Sequence, residues 1–135
     1  MTPYTLINID DVEDSATQFG LSPSLEARFA RRALGSSNLG VSRETLAPGF
    51  RVPFGHTHRE QEEVYVVLRG SGRMKIGADI VELVEGDMVR VGPGVWRCTE
   101  AGPDGMQVLA VGAPVAEEND AELEQGWWAD EPASA

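Results

Sequence analysis

The residues best suited to chemistry lie in one short stretch between His56 and Glu63. The chain has only two histidines, His56 and His58, and one residue separates them. In an extended strand the side chains at i and i+2 point to the same face, so both imidazoles can be aimed at one point. Glu63 opens the apolar run that follows and can supply an oxygen from a neighbouring strand. Two imidazoles and one carboxylate form a ligand set for a divalent transition metal with open coordination positions.

A histidine pair of this kind is a weak signal by itself, because such pairs also occur by chance on surfaces. The longer pattern is more specific: Gly49, six residues, His56-x-His58, four residues, Glu63, six residues, Gly70. It resembles the first motif of the cupin family, except that the leading glycine is one residue further from the first histidine than is usual. The resemblance implies a β-barrel in which His56, His58 and Glu63 face inward as metal ligands.

The second cupin motif is only partly present. In the family it runs Gly, five residues, Pro-x-Gly, two residues, His, three residues, Asn. In this chain Gly86 and Gly94 match, while Gly92 stands at the proline position and Ala101 at the asparagine position. Arg97 stands where the fourth metal ligand, a histidine, is expected. The resemblance covers roughly residues 39–112 and predicts the fold more firmly than the metal.

Arg97 leaves two main interpretations open. A guanidinium stays protonated and has no lone pair to give, so it cannot ligate a metal. In the first interpretation, His56, His58 and Glu63 hold Fe, Mn, Zn or Ni, and Arg97 orients an anionic group of a small molecule in an oxygenase or isomerase reaction. In the second, Arg97 pairs with Glu63, and the barrel is a metal-free, non-enzymatic binding or sensing module. A third and weaker interpretation is a structural dimer with a vestigial site.

Three further residues are candidates for the site. Tyr65 shares a face with Glu63 in a regular strand, so it can contact the ligand or simply pack in the core. Glu62 is the alternative metal ligand, although only Glu63 gives the six-residue spacing to the glycine. Cys98 has no neighbouring motif that would activate a nucleophile.

The elements that must position these residues are short strands. Apolar runs separated by Gly, Pro and Asp turns recur at 39–46, 63–68, 73–76, 80–84, 88–91, 95–100 and 106–111. This spacing is typical of an all-β sandwich or barrel. Residues 25–34 fit a strand or a helix, and we favour a strand. Together with the resemblance, the pattern predicts an all-β cupin double-stranded β-helix, or jelly-roll barrel, with short helical turns at the termini.

We divide the chain into an N-terminal lead-in at 1–24, the cupin barrel at 25–115 and an acidic tail at 116–135. One or two helical turns are predicted within 116–125. Two adjacent tryptophans, Trp127 and Trp128, are costly to expose, so at least one is expected to dock on the barrel or on a second subunit. Small cupins are commonly homodimers, and the resemblance implies the same here.

The formal net charge of −11 is located at the ends of the chain. Positions 15–116 carry 11 basic and 11 acidic residues, so the central region is balanced. The lack of a basic stripe argues against nucleic-acid binding. The absence of long apolar runs argues against a membrane span, and the single cysteine and lack of a visible signal sequence fit a soluble cytoplasmic protein.

Overall fold

The computed structural model describes residues 3–115 and 120–129, which form eight strands and a few short helical turns. The strands are β1 Leu25–Phe29, β2 Gly40–Leu46, β3 Phe54–His58, β4 Glu63–Ile76, β5 Asp79–Val84, β6 Met88–Val91, β7 Arg97–Gly112 and β8 Ala121–Gln125. The helical elements are 3₁₀ turns at Ile9–Asp11 and Ser15–Phe19 and the helix α1 at Arg31–Leu34. The predicted all-β class is confirmed. Within the described ranges, no helix combines the length and apolar character that crossing a membrane requires.

The strands form one antiparallel sheet that curls into a barrel. Its main path runs β1-β2-β7-β3-β8, and β4 pairs with β5, β6 and β7. Because β4 and β7 each pair with several neighbours along their length, they join both ends of the curled sheet. The inner face packs an apolar core whose most buried members include Leu25, Leu46, Val67, Met74, Val91 and Met106.

The predicted ends of two strands were wrong, because β4 and β7 run through stretches that the sequence suggests are breaks. Between Val67 and Gly72 the pairing of β4 with β7 shifts register twice, as bulges do. Gly70 has a φ of 77°, and a Cβ atom there would lie 2.1 Å from the carbonyl oxygen of Gly105. The glycines therefore bend two long strands where their backbones approach closely, rather than ending them.

Two segments differ in part from the structure that their sequence patterns predict. The favoured strand at 25–34 is confirmed over Leu25–Phe29 and is wrong for Arg31–Leu34, which form helix α1. The predicted helical turns near the C-terminus are wrong for Ala121–Gln125, which is strand β8, and residues 116–119 lie outside the described part of the chain. Five residues of β8 pair with β3, and these backbone hydrogen bonds across the barrel edge outweigh the local helical tendency. The domain boundaries proposed above stay a prediction.

Candidate metal centre

Three strands bring the predicted site residues together. His56 and His58 alternate along β3 with the buried residues Gly55 and Thr57, so both imidazoles lie on one face. Glu63 is the first residue of β4 and Arg97 the first residue of β7. Arg97 stands opposite His56 in the antiparallel pairing of β3 with β7. The period of two that the sequence suggested for the histidine segment is therefore present in the structure.

The ligand atoms of His56, His58 and Glu63 form a close group. Nε2 of His56 lies 3.5 Å from Oε1 of Glu63, and Nε2 of His58 lies 3.3 Å from the same oxygen. One ligand atom from each of the three residues lies within 4.8 Å of the others. Tetrahedral ligands about 2.0–2.1 Å from a metal are separated by about 3.4 Å, so these distances suit a shared ion. The donor set, two nitrogens and one carboxylate oxygen, also fits a transition metal.

Arg97 lies in the same group and contacts Glu63 directly. Its side chain is 1% exposed, and its Nη2 donates to Oε1 of Glu63. Its Nε donates to the hydroxyl of Tyr65 at 3.0 Å, and its Nη1 donates to the carbonyl oxygen of Val95 at 2.9 Å. The ion pair required by the second interpretation is therefore present. Glu63 Oε1 faces both a guanidinium and two potential co-ligands.

Tyr65 completes the polar group. Its hydroxyl donates to Oε1 of Glu63 at 2.7 Å and lies 3.4 Å from Nε2 of His56. Burial raises the pKa of Tyr65 well above its usual value, so the phenol stays protonated and acts as a donor. The ligand-contacting roles assigned to Tyr65 and Arg97 stay predictions, although both side chains lie within hydrogen-bonding distance of the ligand group.

The electrostatics keep Glu63 and His56 in metal-binding protonation states. Burial by itself would raise the pKa of Glu63, but its polar contacts with His56, His58 and Tyr65 and the charge of Arg97 outweigh it, and the pKa falls well below its usual range. Burial lowers the pKa of His56, so its imidazole is neutral at physiological pH. An ionised carboxylate and a neutral imidazole are the forms that ligate metals.

Sequence reasoning missed Glu44, which lies on the inner face of β2. Glu44 stands opposite Val108 of β7, and Val108 stands opposite Val67 of β4, so these side chains share the face that carries Tyr65 and Glu63. Its carboxyl makes no hydrogen bond or ion pair with any residue in the described ranges. Burial, followed by the charge of Glu63, raises the pKa of Glu44 to about 7. Its position in a period-two strand, facing inward, was the signal that could have identified it.

Asp120 was also missed, because the sequence places it in an acidic flank that is expected to be solvated. It is only 4% exposed, and its Oδ2 lies 3.3 Å from Nδ1 of His58. Its two oxygens accept the backbone N–H groups of Glu60 at 2.8 Å and Gln61 at 3.1 Å. Asp120 therefore fixes the loop between the histidines and Glu63. Nothing in the sequence predicts this contact, since it depends on how the tail crosses the barrel.

The remaining candidates lie away from the ligand group. Glu62 points outward and pairs with Arg90 at 3.3 Å, so it is not part of the cluster. Sγ of Cys98 donates to the carbonyl oxygen of Val52 at 3.2 Å, and burial raises the pKa of its thiol to about 12, which leaves it unreactive. Trp128 is 2% exposed, so the prediction that at least one tryptophan docks on the barrel is confirmed.

Solved structures with this fold come from several bacteria. A cupin protein from Bacteroides fragilis is 24% identical, with a TM-score of 0.70 over 87% of this chain and 89% of that chain. Oxalate decarboxylase from Bacillus subtilis is also 24% identical, with a TM-score of 0.76 over 98% of this chain but only 35% of that chain. KdgF from Halomonas sp. is 15% identical, with a TM-score of 0.66 over 87% of this chain and 98% of that chain. At these identities the likeness shows the fold alone.

The sequence itself matches a family. No curated protein sequence matches the chain significantly. The family model described as the cupin domain matches residues 42–112, which are more than half of the 135 residues. That range contains both histidines, Glu63 and Arg97, and with the barrel and its inward-facing ligand group it establishes that the chain belongs to the cupin family.

Proposed function

We propose that this cupin holds one divalent transition metal on His56, His58 and Glu63 and acts on a small molecule inside the barrel. The observation that carries the proposal is the grouping of three ligand atoms within 4.8 Å of one another on the inner face. Nδ1 of His58 is buried and makes no hydrogen bond of standard alignment among the described residues, and Oδ2 of Asp120 is a polar neighbour at 3.3 Å. A bound metal would supply Lewis-acid polarisation of a substrate oxygen.

The other polar residues suit an anionic or enolisable substrate. If the Glu63 carboxylate binds the metal, the Arg97 guanidinium can donate to a carboxylate or enolate oxygen of the substrate. Tyr65 stays protonated and can donate to the same group. These roles are supported by the direct contacts among the three side chains.

Of the two reaction classes, we favour proton transfer, as in an isomerase, over oxygenation. Glu44 faces the barrel interior without a partner among the described residues, and it supplies a carboxyl that can give and take a proton. Its pKa of about 7 matches the task near neutral pH. Glu44→Gln is expected to abolish exchange of an acidic substrate proton with solvent while leaving metal content unchanged. Retained exchange in that variant would remove this role.

Elemental analysis of protein purified without a histidine tag tests the metal. We expect close to one equivalent in the wild type and less than a tenth of that in His56→Ala and Glu63→Gln. Glu62→Gln is the matched control, since Glu62 lies next in sequence but is exposed and paired with Arg90. Unchanged metal content in His56→Ala contradicts the proposal.

The contact between Arg97 and Glu63 favours one second candidate, a metal-free module that binds or senses a small anion. Here the guanidinium takes the place of the ion. Two unit charges about 4 Å apart repel by about 4 kcal/mol at an effective dielectric constant of 20, so Arg97 opposes a cation strongly. A metal-free wild type beside an Arg97→His variant that binds metal would favour this candidate. Arg90→His adds a histidine on the surface and serves as the control.

We also propose that the protein is a homodimer. Leu6 is 88% exposed and Phe19 is 74% exposed in the single chain, and both belong to the N-terminal segment that precedes the barrel. Large apolar side chains that are exposed in a single chain are candidates for burial in a subunit interface. Light scattering coupled to gel filtration is expected to give twice the monomer mass. A monomeric mass for the wild type would contradict the proposal, and a monomeric Leu6→Ser/Phe19→Ser variant would place the interface.

A further inference from the structure

The C-terminal strand lies directly against the strand that carries the histidines. β8 pairs with β3 over five positions, which place Leu123 opposite His56 and Ala121 opposite His58. The N–H of Arg59 donates to the carbonyl oxygen of Asp120 at 3.1 Å, so the pairing continues to the end of β3. The tail is therefore an added edge strand beside the ligand group.

Two tryptophans hold the end of the tail in place. The ring of Trp127 packs on Gly55, where a Cβ atom would lie 2.7 Å from the indole. Trp128 is buried beneath Arg51, whose guanidinium lies 4.1 Å from the ring centre and donates to the Trp128 carbonyl oxygen at 2.6 Å. Gly55 immediately precedes His56, so the packing of the tail and the position of the histidines depend on the same short strand.

The docked tail places Asp120 beside His58, next to the ring nitrogen that faces away from Glu63. Oδ2 of Asp120 lies 3.3 Å from Nδ1 of His58, while Nε2 of the same ring lies 3.3 Å from Oε1 of Glu63. A neutral imidazole carries one N–H and can donate to only one of these two carboxylates. When the proton is on Nδ1 and points to Asp120, the lone pair of Nε2 points into the ligand group. Histidine ligands of metals are commonly held in this way by a carboxylate.

We propose that Asp120 is a positioning residue that holds His58 in its Nδ1–H form with Nε2 turned to the metal, so that the docked tail is part of the site. The inference rests on the proposed metal function. It goes beyond it by assigning the C-terminal strand, which lies outside the matched cupin region of residues 42–112, a role in metal affinity. By linkage, a bound metal also stabilises the docked tail.

Asp120→Asn is the sharpest variant, because it keeps one oxygen for a backbone N–H but replaces the other with an amide that donates. The amide favours a His58 ring that accepts at Nδ1 and carries its proton on Nε2, the atom needed by the metal. We expect Co²⁺ and Zn²⁺ to bind 10–100-fold more weakly than to the wild type. We also expect ¹⁵N spectra of the metal-free protein to change from the Nδ1–H to the Nε2–H form of His58, which lost stability alone would not do.

Two further variants complete the experiment. Glu122→Gln alters a different acidic residue of the tail, one in β8 that is exposed and 3.8 Å from Arg59, and is expected to keep the wild-type affinity within about two-fold. Asp120→Glu keeps the carboxylate and is expected to restore the Nδ1–H form, which provides a test even if Asp120→Asn folds poorly.

The outcomes separate this inference from the proposed function. A wild type that takes up neither Co²⁺ nor Zn²⁺ overturns the metal proposal, and with it the role of Asp120 in metal affinity. The ¹⁵N spectra then still show whether Asp120 determines which nitrogen of His58 carries the proton. A wild type that binds metal, with Asp120→Asn equal to it in affinity and in the form of His58, overturns this inference alone.

Discussion

Two glutamates of this barrel, the fully buried Glu100 and the partly buried Glu63, pair with arginine in different ways. Glu100 is 0% exposed, and each of its oxygens has its own arginine: Oε2 accepts from Arg51 at 2.8 Å, and Oε1 accepts from Arg73 at 2.9 Å. Glu63 instead presents a single oxygen to Arg97, Tyr65 and two imidazoles. The first arrangement distributes its contacts, whereas the second concentrates them on one atom.

The difference separates a structural cluster from a functional one. The arginines of the Glu100 cluster also cover Trp128, at 4.1 Å and 5.2 Å from its ring centre, so the cluster fixes the tail to the barrel. Among the described residues, Glu100 belongs to no group of potential metal ligands. At Glu63 the surrounding groups are alternatives to one another, since a cation and the Arg97 guanidinium compete for the same oxygen. A group with two mutually exclusive partners suits binding rather than stability alone.

The largest expected effect is at the structural cluster. Glu100→Gln removes a fully buried carboxylate that accepts from both Arg51 and Arg73, and we expect the free energy of unfolding to fall by about 3–5 kcal/mol. Urea unfolding followed by tryptophan fluorescence measures it. The folded fraction is expected to keep wild-type metal content. A variant of wild-type stability that loses its metal would reverse the assignment of the two clusters, and Glu62→Gln is the exposed control.

Glu63→Gln is expected to cost less in the metal-free protein, about 2–3 kcal/mol, because the site retains some solvent and neutral partners for Arg97. The cost depends on pH. The pKa of Glu63 is lowered in the fold, so its contribution is present above about 4.5, its unfolded value, and is lost as the pH falls below that value. Unfolding free energies of the two proteins should therefore converge in acid.

A double variant tests whether an unpaired Arg97 guanidinium causes the stability loss of Glu63→Gln. Glu63→Gln/Arg97→Met removes both charges, and we expect it to recover most of the lost stability, because an apolar replacement of a buried pair is often neutral. A double variant no more stable than Glu63→Gln would show that the loss comes from packing and not from an unpaired guanidinium.

Glu44 provides a third case, a glutamate that faces inward and has no cationic partner among the residues that the structure describes. Its pKa is raised to about 7 from 4.5, so its ionisation opposes folding at high pH. By linkage, the contribution of Glu44 to the free energy of unfolding is fully present below pH 4.5, the unfolded pKa. It is lost as the pH rises through about 7, the folded pKa. We expect Glu44→Gln to be more stable than the wild type by about 1–2 kcal/mol at pH 8, after allowance for its partial exposure, and equal to it near pH 4.

Circular dichroism during urea unfolding at the two pH values measures this difference. Glu82→Gln, at an exposed position of β5, is the matched control and is expected to show no such pH dependence. An equal gain for Glu44→Gln at pH 4 and pH 8 would mean that folding does not raise the pKa of the Glu44 carboxyl, against its role in proton transfer.

Local patterns predicted the fold and the core of the site, because both depend on period and spacing. The strand period placed His56 and His58 on one face, and the spacing to Glu63 identified the third ligand. The strand ends near Gly70 were not predictable, since a glycine that ends a strand and one that bends it look alike in sequence. Asp120 was missed because its burial depends on pairing between segments about 60 residues apart.

The smallest expected effect tests how firmly the tail is held. Nζ of Lys75 lies 4.8 Å from the ring centre of Trp127, and an exposed cation–π contact contributes about 0.5 kcal/mol. Lys75→Met keeps most of the stem and removes the charge, so global stability should fall by no more than about 0.5 kcal/mol. Amide hydrogen exchange in β8 is expected to quicken about two-fold while that of β4 stays unchanged. Faster exchange throughout the barrel would mean that the tail and the core unfold together, and that the Glu100 cluster rather than Trp127 governs docking.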